Sequence, residues 1–223
     1  MNRRKFKYED YNKSEATEDA TKIFIVYEGR VKEPNYFEAF NETFIDSKKA
    51  FICHILEEDT GVEGNTPLKL KDRVIEFIEN PPKKLKITPY SDDKFRFVLD
   101  IDKHPVNHFE ELKEFCDSLL DGGIYISNFC FEVWLWSHFK NLDLITSEKS
   151  SEIKKELGRI QSGNYPHSFM KYTLIKRAIE RCELADIDKS NYLPVKKSSK
   201  VYLLIKELLE YSLLNLDVDL IEV

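Results

Sequence analysis

Glycine and proline are scarce in this chain of 223 residues, at seven and eight. That scarcity excludes collagen-like and low-complexity architectures. Excess positive charge is also missing. The 34 Lys and Arg against 40 Asp and Glu leave a formal net charge of -6, so any polyanion contact must come from a local patch. The four cysteines, at 53, 116, 130 and 182, include no CxxC pair and read as reduced core thiols. No apolar run reaches bilayer length; the longest, around 129–139, is interrupted by Glu132 and His138. The basic start MNRRKFKYEDYNK leads into polar and acidic residues rather than an apolar stretch. It therefore does not read as a signal peptide, and the expected location is cytoplasmic, with no membrane partner. GxxxxGK followed by Ser or Thr, GxSxG, HExxH and GxGxxG are all lacking, so ATP hydrolysis, if any, would need a separate subunit.

What is present is a chain able to build a core, with 42% apolar and 33% charged residues. Residues 1–20 are charged and poor in aliphatics and read as a flexible basic arm. Short β-branched and aromatic runs follow at 22–27 (KIFIVY), 51–56 (FICHIL), 95–99 (FRFVL) and 124–127. Between them lie helical stretches. Tyr36, Phe37, Phe40 and Phe44 recur at helical spacing behind Pro34, and Thr66-Pro67 opens a second helix with Leu68, Leu70, Val74, Ile75 and Ile78 along one side. Phe109, Leu112, Phe115, Cys116 and Leu119 line a third. Residues 57–66, EEDTGVEGNT, read as a loop. This alternation predicts an α/β fold over 21–145, with a mostly parallel four-stranded sheet flanked by helices. From 146 to 223 every periodic segment is helical, which predicts an all-helical C-terminal region packed on the sheet domain. The expected helices there and just before it are 129–140, 150–161, 166–185 and 199–214.

In a parallel sheet the C-terminal strand ends share one crevice. The first strand ends at Glu28 and the third at Asp100-Ile101-Asp102. Residues two apart on an extended segment project to one side, so Asp100 and Asp102 can meet a single point. If the strands are neighbours, Glu28 joins them. Three carboxylates in one cleft repel unless a hard cation neutralises them, and Mg²⁺ or Mn²⁺ suits oxygen ligands. The same acids also fit ordinary surface charge, since a DxD arises easily among 40 acidic residues.

The segment 22–40, KIFIVYEGRVKEPNYFEAF, resembles the opening of RloB-like proteins, where a strand ends in Glu-Gly and continues to Glu-Pro-Asn-Tyr-Phe. FVLDIDK at 97–103 resembles their second motif. ISNFCFEVWLWSHF at 126–139 resembles their third, usually Ser-Asn-Pro-x-Phe-Glu-x-Trp-Leu…His-Phe. The resemblance implies a Toprim-like fold, shared with topoisomerase, primase and OLD-type nuclease domains, in which a first-strand Glu and a later Asp-x-Asp surround Mg²⁺. It implies a nuclease of bacterial restriction loci and abortive phage resistance, often beside an ATPase. Carried over, Glu28 becomes a general acid/base or metal ligand, and Asp100 and Asp102 become metal ligands. The rival class is a non-catalytic module that senses nucleic acid or nucleotide or regulates an ATPase partner. Two departures stand out: Phe129 replaces the usual Pro, and Arg30-Val31-Lys32 replaces Glu-Lys-Thr.

Within the third motif, Ser127 or Asn128 suits a helix cap, and Glu132 would sit in the first turn as an acid close to the same cleft. Phe131, Trp134, Leu135, His138 and Phe139 share a helical face, so His138 reads first as a core histidine. His104 and His108 flank Pro105 and read as exposed loop residues, His104 with a possible phosphate contact. Arg30, Lys32, Lys103 and His104 beside the acids, and Lys171, Lys176 and Arg177 in a later helix, are the expected nucleic-acid contacts (DNA or RNA), although such charges also simply solvate a helix face.

Overall fold

The computed structural model describes residues 20–81, 93–101, 104–161 and 164–213; the expected N-terminal arm falls outside them, apart from Ala20. The four apolar runs form parallel strands β1 (Thr21–Tyr27), β2 (Ala50–Ile55), β3 (Lys94–Asp100) and β4 (Gly122–Asn128). Helices α1 (Lys32–Phe44), α2 (Glu57–Thr60), α3 (Pro67–Glu79) and α4 (Val106–Ser118) connect them. The α3 start is as expected: Pro67 opens the helix and Thr66 Oγ1 accepts from the Lys69 N–H at 3.3 Å. Its apolar side differs, however, with Leu70, Val74 and Phe77 buried while Ile78 is exposed. The expected loop 57–66 contains the single turn α2, ended by Gly61 at φ 70°.

The C-terminal part contributes α6 (Ser150–Ile160), α7 (Tyr172–Ala185) and α8 (Val201–Leu209), preceded by α5 (Phe131–Ser137). The expectation that this part is wholly helical is corrected by β5 (Ser198–Ser199), which adds antiparallel to β4 as a fifth strand. Two serines carry no strand pattern; the pairing is held by a 2.8 Å bond between the Ser127 and Ser199 hydroxyls and by the Lys200 N–H on Ile126 O. Expected helix 166–185 begins only at Tyr172, a 3₁₀ turn (His167–Phe169) standing before it.

Strand alternation divides the interior in two. Ile23, Ile25 and Tyr27 face a core shared with α1 and α5 to α8, while Phe24 and Val26 face one shared with α3 and α4. All seven residues of α5 are buried, not one face as expected, because aromatic and aliphatic side chains surround it. His138, just after it, is a core histidine. Its Nδ1 donates to Trp134 O and its Nε2 accepts from the Tyr36 hydroxyl, both at 3.1 Å. Burial lowers its pKa to about 3, so the ring is neutral.

The sheet order is β2-β1-β3-β4-β5. The chain leaves β1 toward one edge and later returns past it to the other, so direction reverses between β1 and β3. In open α/β sheets, the crevice above such a point is where ligands bind.

Candidate functional site

Glu28 and Asp100 meet at that reversal point. The β1–β3 register ends with Tyr27 opposite Val98, and the Glu28 N–H continues the ladder to Val98 O at 3.0 Å. The Glu28 carboxylate then crosses to β3, where Oε2 accepts from the Asp100 backbone N–H at 3.0 Å. The expected partner Asp102 lies outside the described residues, as does Lys103. His104 does not lie on an exposed loop: it is half-buried, with Nε2 3.3 Å from Glu28 Oε1 and its ring edge-on to Phe109.

Two further acids complete the cleft. Glu132 lies in the first turn of α5, buried, where Lys32 Nζ reaches Oε1 at 2.7 Å and Lys154 Nζ of α6 lies 3.7 Å from Oε2. Glu33, which the sequence reading did not single out, is 8% exposed in the first turn of α1. Its carboxylate packs on the Gly29 backbone, where an added Cβ would come within 1.9 Å of Oε2. Glycine here lets the carboxylate approach the backbone closely, and a larger residue would displace the end of the Glu33 side chain. The Glu-Gly pair and Glu33 thus form one steric unit.

Electrostatics reflect the crowding. Burial, then the charges of Glu132 and Glu28, raise Glu33 to about 7, with Lys154 opposing. Asp100 is raised well above the usual carboxylate range by burial and by Glu33, Glu28 and Glu132. The Cys130 thiol, buried beside Glu132 and Asp100, is likewise pushed up. The cleft therefore holds carboxylates in excess of its lysines, with a tendency to retain protons near neutral pH. Among the described residues no three His, Cys, Asp or Glu side chains are arranged as a ready-made metal cage. Oxygen donors of hard character nonetheless dominate, which is the donor set that Mg²⁺ or Mn²⁺ takes.

The expected basic contacts divide. Lys32 is at the cleft, bonded to Glu132, while Arg30 turns to Glu57 of α2 at 2.7 Å. Lys171 precedes α7, and Lys176 and Arg177 lie on its exposed side, opposite buried Ile175, Ala178 and Cys182. No hydrogen bond or ion pair joins these three to the acids among the described residues. Neither Ser127 nor Asn128 caps α5, contrary to expectation. β4 runs through both, Ser127 pairs with Ser199, and the Asn128 side-chain N–H donates to Pro194 O at 3.1 Å. Lys154 was also missed, since a lysine on an amphipathic helix reads as solvated charge.

A model of the RloB family, described as RloB-like protein, matches residues 23–208, most of the chain. No curated protein and no solved structure matches it. Among the described residues no helix is long and apolar enough to cross a membrane.

Proposed function

Since the chain belongs to the RloB-like family, we propose that its acidic cleft is the centre of a Mg²⁺- or Mn²⁺-dependent nuclease serving a bacterial anti-phage system. The observation that carries this reading is the convergence of Glu28, Glu33, Asp100 and Glu132, from four separate segments, at the point where the sheet reverses direction. Such a cluster costs folding free energy and is relieved by a divalent cation. Glu28 and Asp100 would hold the cation together with Asp102. The bound ion would neutralise charge developing on a phosphoryl group during phosphodiester hydrolysis.

The chain's own residues supply the rest. Glu28 is fixed by the Asp100 N–H, which holds its carboxylate at the crevice. Glu33, with a pKa near neutrality, is placed to hold or release a proton. Lys32 is ion-paired with Glu132 and offers positive charge where a phosphate would enter. ATP hydrolysis in such a system would fall to a separate ATPase subunit, because the chain carries no P-loop sequence.

The rival is a non-catalytic nucleic-acid- or nucleotide-sensing module. Two measurements separate the readings. A cation that binds only the native state raises the melting temperature with its concentration. Mn²⁺ should therefore stabilise the wild type and not Asp100→Asn. Incubation with plasmid, single-stranded DNA and total tRNA should give Mn²⁺-dependent, EDTA-sensitive cleavage that Asp100→Asn loses. Cleavage undiminished in a folded Asp100→Asn variant would refute the assignment, and no cleavage of any substrate by the wild type would favour the sensor.

A further inference from the structure

The Glu28 carboxylate is held from two sides. Its Oε2 accepts from the Asp100 backbone N–H at 3.0 Å, and its Oε1 lies 3.3 Å from His104 Nε2. A carboxylate oxygen offers only lone pairs, so the contact is attractive when the ring carries its hydrogen on Nε2 and donates it. The two donors come from different parts of the chain. The Asp100 N–H belongs to the end of β3, whereas His104 stands in the connection between β3 and α4.

The ring is anchored in its turn. It stands edge-on to Phe109 of α4, with centroids 6.0 Å apart, and Phe109 is fully buried in the core shared by α3 and α4. The direction of the imidazole is therefore set by packing, and its Nε2 reaches the acid at the end of β1. Such a layout matters because the last torsion of a glutamate is broad and has no staggered wells of its own. One donor would leave the carboxylate plane free to turn about that bond. Two donors, one on each oxygen and each fixed by a different segment, remove the freedom. The Glu28 side chain still keeps 20% of its surface open, so an ion from solution can reach it. Partners that orient a metal-binding side chain without touching the metal act in this way. The phosphate contact expected for His104 fits less well, since Nε2 is turned to an acid.

We propose that His104 is a positioning residue: its Nε2–H and the Asp100 N–H together set the plane of the Glu28 carboxylate, so that Glu28 meets Mg²⁺ or Mn²⁺ in one orientation. This rests on the cleft being a divalent-cation site, and it gives His104 a role through Glu28 rather than through the nucleic acid.

Two substitutions separate the donor from the ring. His104→Gln keeps an N–H of similar reach and loses the ring, whereas His104→Phe keeps a ring against Phe109 and loses the donor. Mn²⁺ titration of the full chain, followed by the electron paramagnetic resonance of the free ion, gives a dissociation constant without any substrate. His104→Phe should weaken Mn²⁺ binding about 10–100-fold, the usual cost of losing a partner that orients a ligand, and His104→Gln should recover most of that loss. Urea unfolding in EDTA checks that each variant is folded, and His104→Leu repeats the loss of the donor should the Phe variant not fold. In the cleavage assay at saturating Mn²⁺, the defect of His104→Phe should fall on kcat rather than KM. Unchanged Mn²⁺ affinity in folded donor-free variants, equal losses in the Phe and Gln variants, or a defect confined to KM would each overturn the proposal. A wild type that binds Mn²⁺ with this dependence on His104 but cleaves no substrate would leave it standing and remove only the nuclease reading.

Discussion

Replacing Glu33 by glutamine should stabilise the protein, and only at neutral to alkaline pH. In the fold the carboxyl titrates at about 7, against 4.5 for the ordinary group, chiefly because it is buried and faces Glu132 and Glu28. A folded-state pKa above the unfolded one contributes favourably below about 4.5. That contribution is lost as pH rises through about 7. The displacement corresponds to about 3 kcal/mol at pH 8 and above. Glutamine keeps the shape against Gly29 and removes the charge, so the variant should gain up to that amount at pH 8 and little at pH 5. In a chain of this size the gain corresponds to about 6–12 °C in melting temperature. Urea unfolding at both pH values, in EDTA, measures the difference. A substitution that shifts stability equally at pH 5 and pH 8, or destabilises at pH 8, would refute the account of Glu33 as a strained buried acid. Adding Mn²⁺ should narrow the gap at pH 8, because the wild type alone has the full acidic set to neutralise.

Two further outcomes follow from groups remote from the cleft. His138, buried and neutral with a pKa near 3 instead of 6.5, contributes stability that is fully present above pH 6.5 and drains as pH falls toward 3. The drain is about 1.4 kcal/mol per pH unit, and His138→Gln, followed by urea unfolding between pH 7 and 4.5, should show a shallower loss than wild type. Lys200 and Asp186 form a fully buried ion pair at 2.6 Å, with the Tyr202 hydroxyl also donating to Asp186 at 2.8 Å. Lys200→Met alone should cost about 3–5 kcal/mol by stranding the carboxylate, and Lys200→Met/Asp186→Leu should recover much of it; a double variant no more stable than the single one would contradict this.

The parallel sheet and the meeting of Glu28 with Asp100 were legible because each rests on a local signal repeated along the chain. Apolar runs of four to six residues that stop at Glu, Asp or Asn define strands, and alternation with amphipathic helices defines parallel pairing. What escaped depends on distant contacts. Ser198-Ser199 become a strand only because β4 presents Ser127 and Asn128 to them. Asn128 looks like a cap in sequence, yet β4 carries it past the turn, where its amide finds Pro194 O. Glu33 carries no signal of its own beside Pro34, and only the fold turns its carboxylate onto Gly29 among other acids. Arg30 and Lys32 are two residues apart near one another in sequence, but α1 begins at Lys32, and the two side chains part toward Glu57 and Glu132.

The composition boundary near residue 145 does not divide the site. Glu28, Glu33, Asp100 and Glu132 precede it, whereas Lys154 follows it. The core over α1 and α5 runs without a break from Ile23 to Leu209. Glu132 owes its position to an α5 that is buried on every side, partly by α6 and α7. Glu207 of α8 reaches back to Arg96 of β3 at 2.9 Å. The Tyr165 hydroxyl donates to the Lys32 carbonyl at the start of α1. Charge in the cleft is therefore set by both halves: the sheet half brings the acids together with Lys32, and the helical half adds Lys154. A shift of α6 relative to α5 would change the field at Glu132 and Asp100 before it moved either carboxylate. Docking of the helical half is thus part of the site's chemistry, as the shared core requires.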